Sequence, residues 1–378
     1  MTINEKFPPR KNFKWANYPG KVGAGIAESD FGTAPAVAQA LHSAIDDGYT
    51  GYTPDHVYRD HLSAYADFLR ERYEWKVDEF AIRLADDVQS AYEAVIRHFT
   101  RHGSYVIVPT PAYAPFTRIP ERLGRNVVEV PMLRRESQYS LDLDAISQAF
   151  ERGGELLVLC NPHNPTGTVL GTDQLLALSE VISHYNGTVF ADEVWAPIVY
   201  SGKHVPYASV SDTTEAHTIT ASSPSKGWNL SGLKCAQIVL SNPRDQKRWD
   251  DLALFPPSAN STLGVIGATA AYGSGAEWLD DTVARLAVNR NLLARLLEDR
   301  LPGVWPTTPP ATYLAWLDFT GWGRGSSPGA ALDERAKVIV NHGEDYGVDW
   351  REFVRFNYAM CEIRLSQAVD SIATAFGR

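Results

Sequence analysis

Asn161-Pro-His-Asn-Pro-Thr-Gly167 follows directly on Leu156-Leu-Val-Leu-Cys160. A continuous apolar run of this kind suits a strand covered by helices on both faces. The Pro, Asn and Gly residues that follow end it in a turn. Two plain readings compete for the string: a Pro-rich turn, or a metal half-site made by Cys160 and His163. The metal reading lacks a second ligand pair at matching spacing, and a turn alone leaves so specific a string unexplained.

Outward from this point the same rhythm recurs. Short apolar runs at 82–84, 105–108, 156–160, 188–191, 218–221 and 236–240 alternate with amphipathic helical stretches, which predicts an α/β sheet, mostly parallel. Ligands in such sheets sit beyond the carboxyl ends of the strands. The first suspects are therefore residues 111–113, 161–167, 192–195 and 222–226. After about residue 260 the pattern changes to a long helical stretch over 277–301, a Pro-rich turn and a new strand-like run, TYLAWLDF. The second lobe is expected to begin inside that helix, and the turn-rich stretch 321–329 reads as a loop within that lobe. The expected division is a segment 1–47 contributing to the smaller lobe, a cofactor-binding large lobe 48–280 and a small lobe 281–378.

Composition narrows the function. At 378 residues, with 44% hydrophobic and 21% charged residues, the chain has the material for two sizeable cores. A net charge of −10 without any basic run argues against nucleic acid. The first twenty residues lack an apolar signal region and no apolar run of about 18 residues occurs, so neither export nor membrane insertion is expected. Three scattered cysteines, Cys160, Cys235 and Cys361, suit a reducing cytoplasm. The glycines at 22–29 and 272–278 do not make a G-x-G-x-x-G fingerprint, and G-x-x-x-x-G-K is absent.

The 161–167 string resembles the NPxNPTG motif of pyridoxal-phosphate enzymes with the aspartate aminotransferase fold, and other motifs of that family follow in order. Asp192 lies 28 positions after Asn164 in D-E-V-W, Lys226 lies 34 further on in S-P-S-K-G-W-N, and Arg355 lies in V-R-F-N. The resemblance implies that Lys226 holds pyridoxal 5′-phosphate as a Schiff base and then serves as the base at the substrate Cα. Asp192 would pair with the pyridine nitrogen, Asn164 would donate to the ring's 3-oxygen, and Tyr113 would stack on the ring. Ser223, Ser225 and Lys234 would bind the phosphate, with the main chain of Asp87, Val88 and Gln89 at a helix N-terminus. The acids Asp86 and Asp87 would turn their side chains away to cap that helix. Arg355 offers a planar fork for a carboxylate, which points to an α-amino acid substrate. A solvated lysine, a strand-end acid, an interdomain ion pair and a core aromatic are the ordinary alternatives for Lys226, Asp192, Arg355 and Tyr113.

Further strings, among them KWANYP, the segment 27–31, the triplet 51–53 and SKGWNLSGLKCAQI, are similar to the MalY/PatB group of C–S lyases within this family, its corynebacterial members above all. That implies β-elimination from L-cystathionine or other S-substituted cysteines, giving a thiol, pyruvate and ammonia. It also implies a homodimer in which Tyr52 reaches the neighbouring subunit's phosphate site. Class I/II amino acid transamination is the rival reaction, and a purely regulatory binding protein is the rival class. Trp195 stands where the group usually has His, and indole cannot accept or shuttle a proton.

Overall fold

The computed structural model describes residues 11–255, 260–306, 308–322 and 327–377. Residues 323–326, inside the 321–329 stretch, therefore lie outside it. Eleven strands matter to the site. Seven form one sheet: β1 (Ile82–Ala85), β2 (Tyr105–Thr110), β3 (Asn126–Pro131), β4 (Gly154–Cys160), β5 (Thr188–Asp192), β6 (Thr218–Ser222) and β7 (Ala236–Leu240), in the order β1-β7-β6-β5-β4-β2-β3. Neighbours pair in parallel except β7, which runs antiparallel to both β1 and β6. All six runs read from the sequence are strands of this sheet. The strand β3 adds an edge the sequence pattern did not give, because three of its six residues are exposed and only Val130 is buried, so the apolar run is short and broken by Glu129.

Successive side chains of a strand point to opposite faces. In β4, Leu156, Val158 and Cys160 pack into one core with Phe190, Ile219 and Ile238, while Leu157 and Leu159 join Ile107, Val189 and Ala191 in another. Each fully buried Leu or Val contributes about 2 kcal/mol by leaving water, so a strand buried on both faces is among the most strongly fixed parts of the chain. Its end point is correspondingly well placed.

A second sheet holds β8 (Trp305–Pro306), β9 (Leu314–Asp318), β10 (Asn341–His342) and β11 (Phe353–Asn357), in the order β8-β9-β11-β10. The long helix Ala276–Arg300 links the two regions. Its Leu279 packs with the helices against the large sheet, and its Leu286, Leu293 and Leu297 pack with the second sheet. The N-terminal segment divides likewise: Ala24 belongs to the second sheet's core, whereas Ala34 and Val37 belong with the large sheet's helices. Among the described residues no helix is long and apolar enough to cross a membrane.

Candidate active site

The carboxyl ends of β2, β4, β5 and β6 lie at one edge of the large sheet and open on a cavity of about 520 Å³. Because β7 runs the other way, its amino end reaches the same edge, which brings Lys234 there. The lining includes Asp87, Val88, Gln89, Tyr113, Asn164, Asp192, Ser223, Ser225, Lys226, Lys234 and Arg355. Every residue that the resemblance assigns to cofactor or substrate is therefore gathered at one place, with the exception of Tyr52, which is 87% exposed and outside the cavity.

The turn that decided the fold is built tightly. His163 Nδ1 is 2.9 Å from Thr166 Oγ1, and burial depresses this imidazole to about 4, so it serves the turn as a neutral group. Gly167 has φ +70°, and a Cβ there would stand 2.2 Å from Pro309 Cβ and 2.8 Å from the Ala311 carbonyl. Only glycine fits that backbone and that space. The turn holds Asn164 with its Oδ1 accepting from Arg355 Nη1 at 3.1 Å.

Lys226 follows β6 on a short loop and is half-buried. Its Nζ donates to the Ala27 carbonyl at 3.3 Å, and the Tyr313 hydroxyl donates to the same oxygen at 2.9 Å. Burial first, and the Arg355 charge second, lower its amine to about 8, against the opposing pull of Asp192. The Trp195 indole, buried edge-on against Tyr313, has its ring centroid 5.8 Å from Nζ. Asp192 is also buried. Desolvation raises its carboxyl to about 6, although Val194 N–H donates to Oδ1 at 3.1 Å and Lys226 favours the charge.

Arg355 comes from the middle of β11, a strand buried over its whole length. Besides Asn164 it donates from Nη2 to the Gly25 carbonyl at 2.8 Å and to Asn341 Oδ1 at 2.6 Å, and its ring-like fork lies over Tyr346. Its Nε is buried with no partner among the described residues. Asn341, Tyr346 and the Ala27 carbonyl were missed in the sequence. Asn341 lies in the two-residue strand β10, Tyr346 in a single short turn and Ala27 outside any strand or helix, elements too short for a periodic signal, and only their partners reveal them.

At the other end, the helix Val88–Phe99 is capped by Asp87, whose Oδ1 accepts from Ser90 N at 2.8 Å. Its Oδ2 does not turn away into solvent: it accepts from Lys234 Nζ at 2.7 Å. Ser223 Oγ donates to the Cys235 carbonyl and accepts from Ser225 N. Gln89 Nε2 donates to the Tyr113 hydroxyl at 3.0 Å, and burial raises the Tyr113 phenol. An anion here would share Lys234 with Asp87.

A desolvated amine, a desolvated carboxyl facing the same space, a phenol and a helix N-terminus form a donor set suited to an aldehyde, a ring nitrogen and a phosphate on one small molecule. The chain belongs to the aminotransferase class I and II family, whose model matches residues 19–372. Within that family it is 36% identical to cystathionine beta-lyase of Corynebacterium glutamicum over 98% of each chain. It is 32% identical to cystathionine beta-lyase PatB of Bacillus subtilis, over 90% of this chain and 89% of that one. A solved structure described as a PLP-dependent beta-cystathionase, from Corynebacterium diphtheriae, superposes with a TM-score of 0.92 at 36% identity, covering 100% of this chain and 99% of the other.

Proposed function

We propose that this chain is a pyridoxal-phosphate-dependent C–S β-lyase that cleaves L-cystathionine or related S-substituted cysteines to a thiol, pyruvate and ammonia. The observation that carries the proposal is one cavity lined by Lys226, whose amine is lowered to about 8, together with Asp192 and Arg355. The donor set fits the cofactor: Lys226 for its aldehyde, Asp192 for its ring nitrogen, the Asn164 amide nitrogen for its ring oxygen, and Tyr113 for its ring face. The main chain of Asp87, Val88 and Gln89 with Ser223, Ser225 and Lys234 would hold the phosphate, and all six line the cavity. Bound there, pyridoxal phosphate supplies a carbonyl for amine exchange and a ring that accepts the electrons of the Cα–H bond.

The chain's own residues do the rest. Arg355 clamps the substrate carboxylate, and Asn164, Asn341 and Gly25 hold its fork in one orientation. That orientation sets the Cα–H bond toward Lys226, whose amine, lowered to about 8, takes the proton once it is neutral. The Ala27 carbonyl is an acceptor that keeps the amine in place while it carries that proton. A thiolate then leaves Cβ as Cα=Cβ forms, and the released enamine hydrolyses to pyruvate and ammonia. Trp195 takes no proton, so Lys226 is the proton carrier of the site.

L-Cystathionine alone, with no keto-acid acceptor, should yield thiol and pyruvate over many turnovers. Product that stops after about one equivalent and resumes on adding 2-oxoglutarate would make the chain an aminotransferase. The working form is a homodimer in which the exposed Tyr52 completes the neighbour's phosphate site. Mixing inactive Lys226→Ala and inactive Tyr52 variants should regain partial activity, and a monomer by light scattering would refute this. The cytoplasm is the setting that suits three free cysteines. The smaller lobe would then take residues from 281 onward with residues 11–34, while the helix Pro35–Asp46 packs with the large lobe.

A further inference from the structure

Eight charged residues line the cavity: Asp86, Asp87, Arg118, Asp192, Lys226, Lys234, Asp345 and Arg355. The proposed function gives no role to the side chains of Arg118, Asp345 and Asp86, the last at a helix N-terminus. Arg118 lies on the helix Pro115–Arg122 of the large lobe, and Asp345 on the short turn Gly343–Tyr346 of the second lobe. Their side chains meet across the cavity, Nη2 to Oδ1 at 3.3 Å, with 69% and 49% of each side chain exposed. The backbone fixes this approach: Ala112 N–H, beside Tyr113, donates to the Tyr346 carbonyl at 2.9 Å. Arg118 spends one of its five N–H donors on Asp345 and Asp345 one of its oxygens on Arg118, so each keeps capacity for a second partner.

We infer that Arg118 and Asp345 form a subsite for the far end of the substrate and select leaving groups that carry both an ammonium and a carboxylate. The inference rests on the β-lyase reading and adds a substrate preference to it. A leaving group with an amino-carboxylate end bears opposite charges about as far apart as those of the Arg118–Asp345 pair. Inserted between them, it exchanges one ion pair for two: carboxylate to Arg118, ammonium to Asp345. Exposed ion pairs are individually weak and the exchange nets one of them, so the preference is modest, roughly two- to fivefold in KM. A plain latch between the lobes is the competing role, and it makes no distinction between substrates.

The test uses the holoenzyme and four amino acids: L-cystathionine, S-methyl-L-cysteine with no distal charge, S-(2-aminoethyl)-L-cysteine with only the ammonium, and S-(2-carboxyethyl)-L-cysteine with only the carboxylate. Binding is read from the visible absorbance of the cofactor, and turnover from thiol and pyruvate. Arg118→Ala should raise KM for the carboxylate-bearing substrates about fivefold, and Asp345→Asn for the ammonium-bearing ones. Kcat and all S-methylcysteine constants should move less than twofold. The exchanged pair Arg118→Asp with Asp345→Arg keeps a latch but reverses the charges that the substrate meets, and it should raise KM for cystathionine about tenfold. Equal shifts for all four substrates, or no shift in any, would overturn the subsite. A wild-type enzyme that binds all four yet releases no pyruvate would break the lyase reading instead, with the binding ratios still deciding the subsite.

Discussion

Lys226 and Arg355 both line the cavity, and the fold treats them in opposite ways. Lys226 stands on a loop past the end of β6, with a single carbonyl acceptor, an indole and a second cation for neighbours, so burial lowers its amine to about 8. Arg355 is set mid-strand in β11 and given three oxygen acceptors in Asn164, Gly25 and Asn341. A guanidinium is weakly hydrated and tolerates such burial when its donors are met, whereas a compact ammonium does not. The large sheet thus supplies a group that must be able to lose its charge, and the small sheet one that must keep it. The difference teaches that residue type and environment together separate base from clamp.

The contrast breaks most completely at the base. Lys226→Ala should lower pyruvate formation from cystathionine by at least about a thousandfold and abolish the visible absorbance of the cofactor, since both anchor and proton carrier go together. Borohydride fixation of the cofactor on a peptide other than the one holding Lys226 would sink the assignment. Asp192→Asn removes the negative charge opposite the ring nitrogen while keeping the shape, and kcat should fall about a hundredfold with the cofactor still bound. A fall of less than threefold would show that Asp192 is a structural acid.

Arg355→Lys keeps the charge but loses the fork. KM for cystathionine should rise about ten- to a hundredfold, and kcat should fall as well, because a hydrogen bond to a charged group is worth about 1.5–3 kcal/mol and a misplaced carboxylate misaligns the Cα–H bond. The lowered amine has its own signature. Only the neutral amine attacks an aldehyde, so the rate at which apoprotein captures pyridoxal phosphate should climb about tenfold per pH unit up to about 8 and then level off. A rate still climbing toward the ordinary lysine value of 10.5 would mean that burial has not shifted the group. The smallest effect is expected at Asn341→Ala, which removes one of three acceptors of Arg355: KM should rise several-fold with kcat nearly unchanged. An unchanged KM would remove Asn341 from the clamp.

The sequence by itself determined the sheet and most of its edge. Strands buried on both faces leave continuous apolar runs, and the residues just past those runs, Asn164, Asp192 and Lys226, could be placed by chain order alone. The edge strand Asn126–Pro131 escaped because one-sided, partial burial leaves no such run. What only the tertiary structure decided are the pairings between distant segments. Asp87 meets Lys234 from 147 positions away, Arg118 meets Asp345 from 227, and the Ala27 carbonyl meets Lys226 from 199. Such contacts depend on how two lobes and an N-terminal segment close on each other, and a local pattern of apolar and polar residues carries no record of that. The lowered amine of Lys226 is of the same kind: a lysine's charge preference is set by the groups that surround it in space, and the sequence lists only those that precede and follow it.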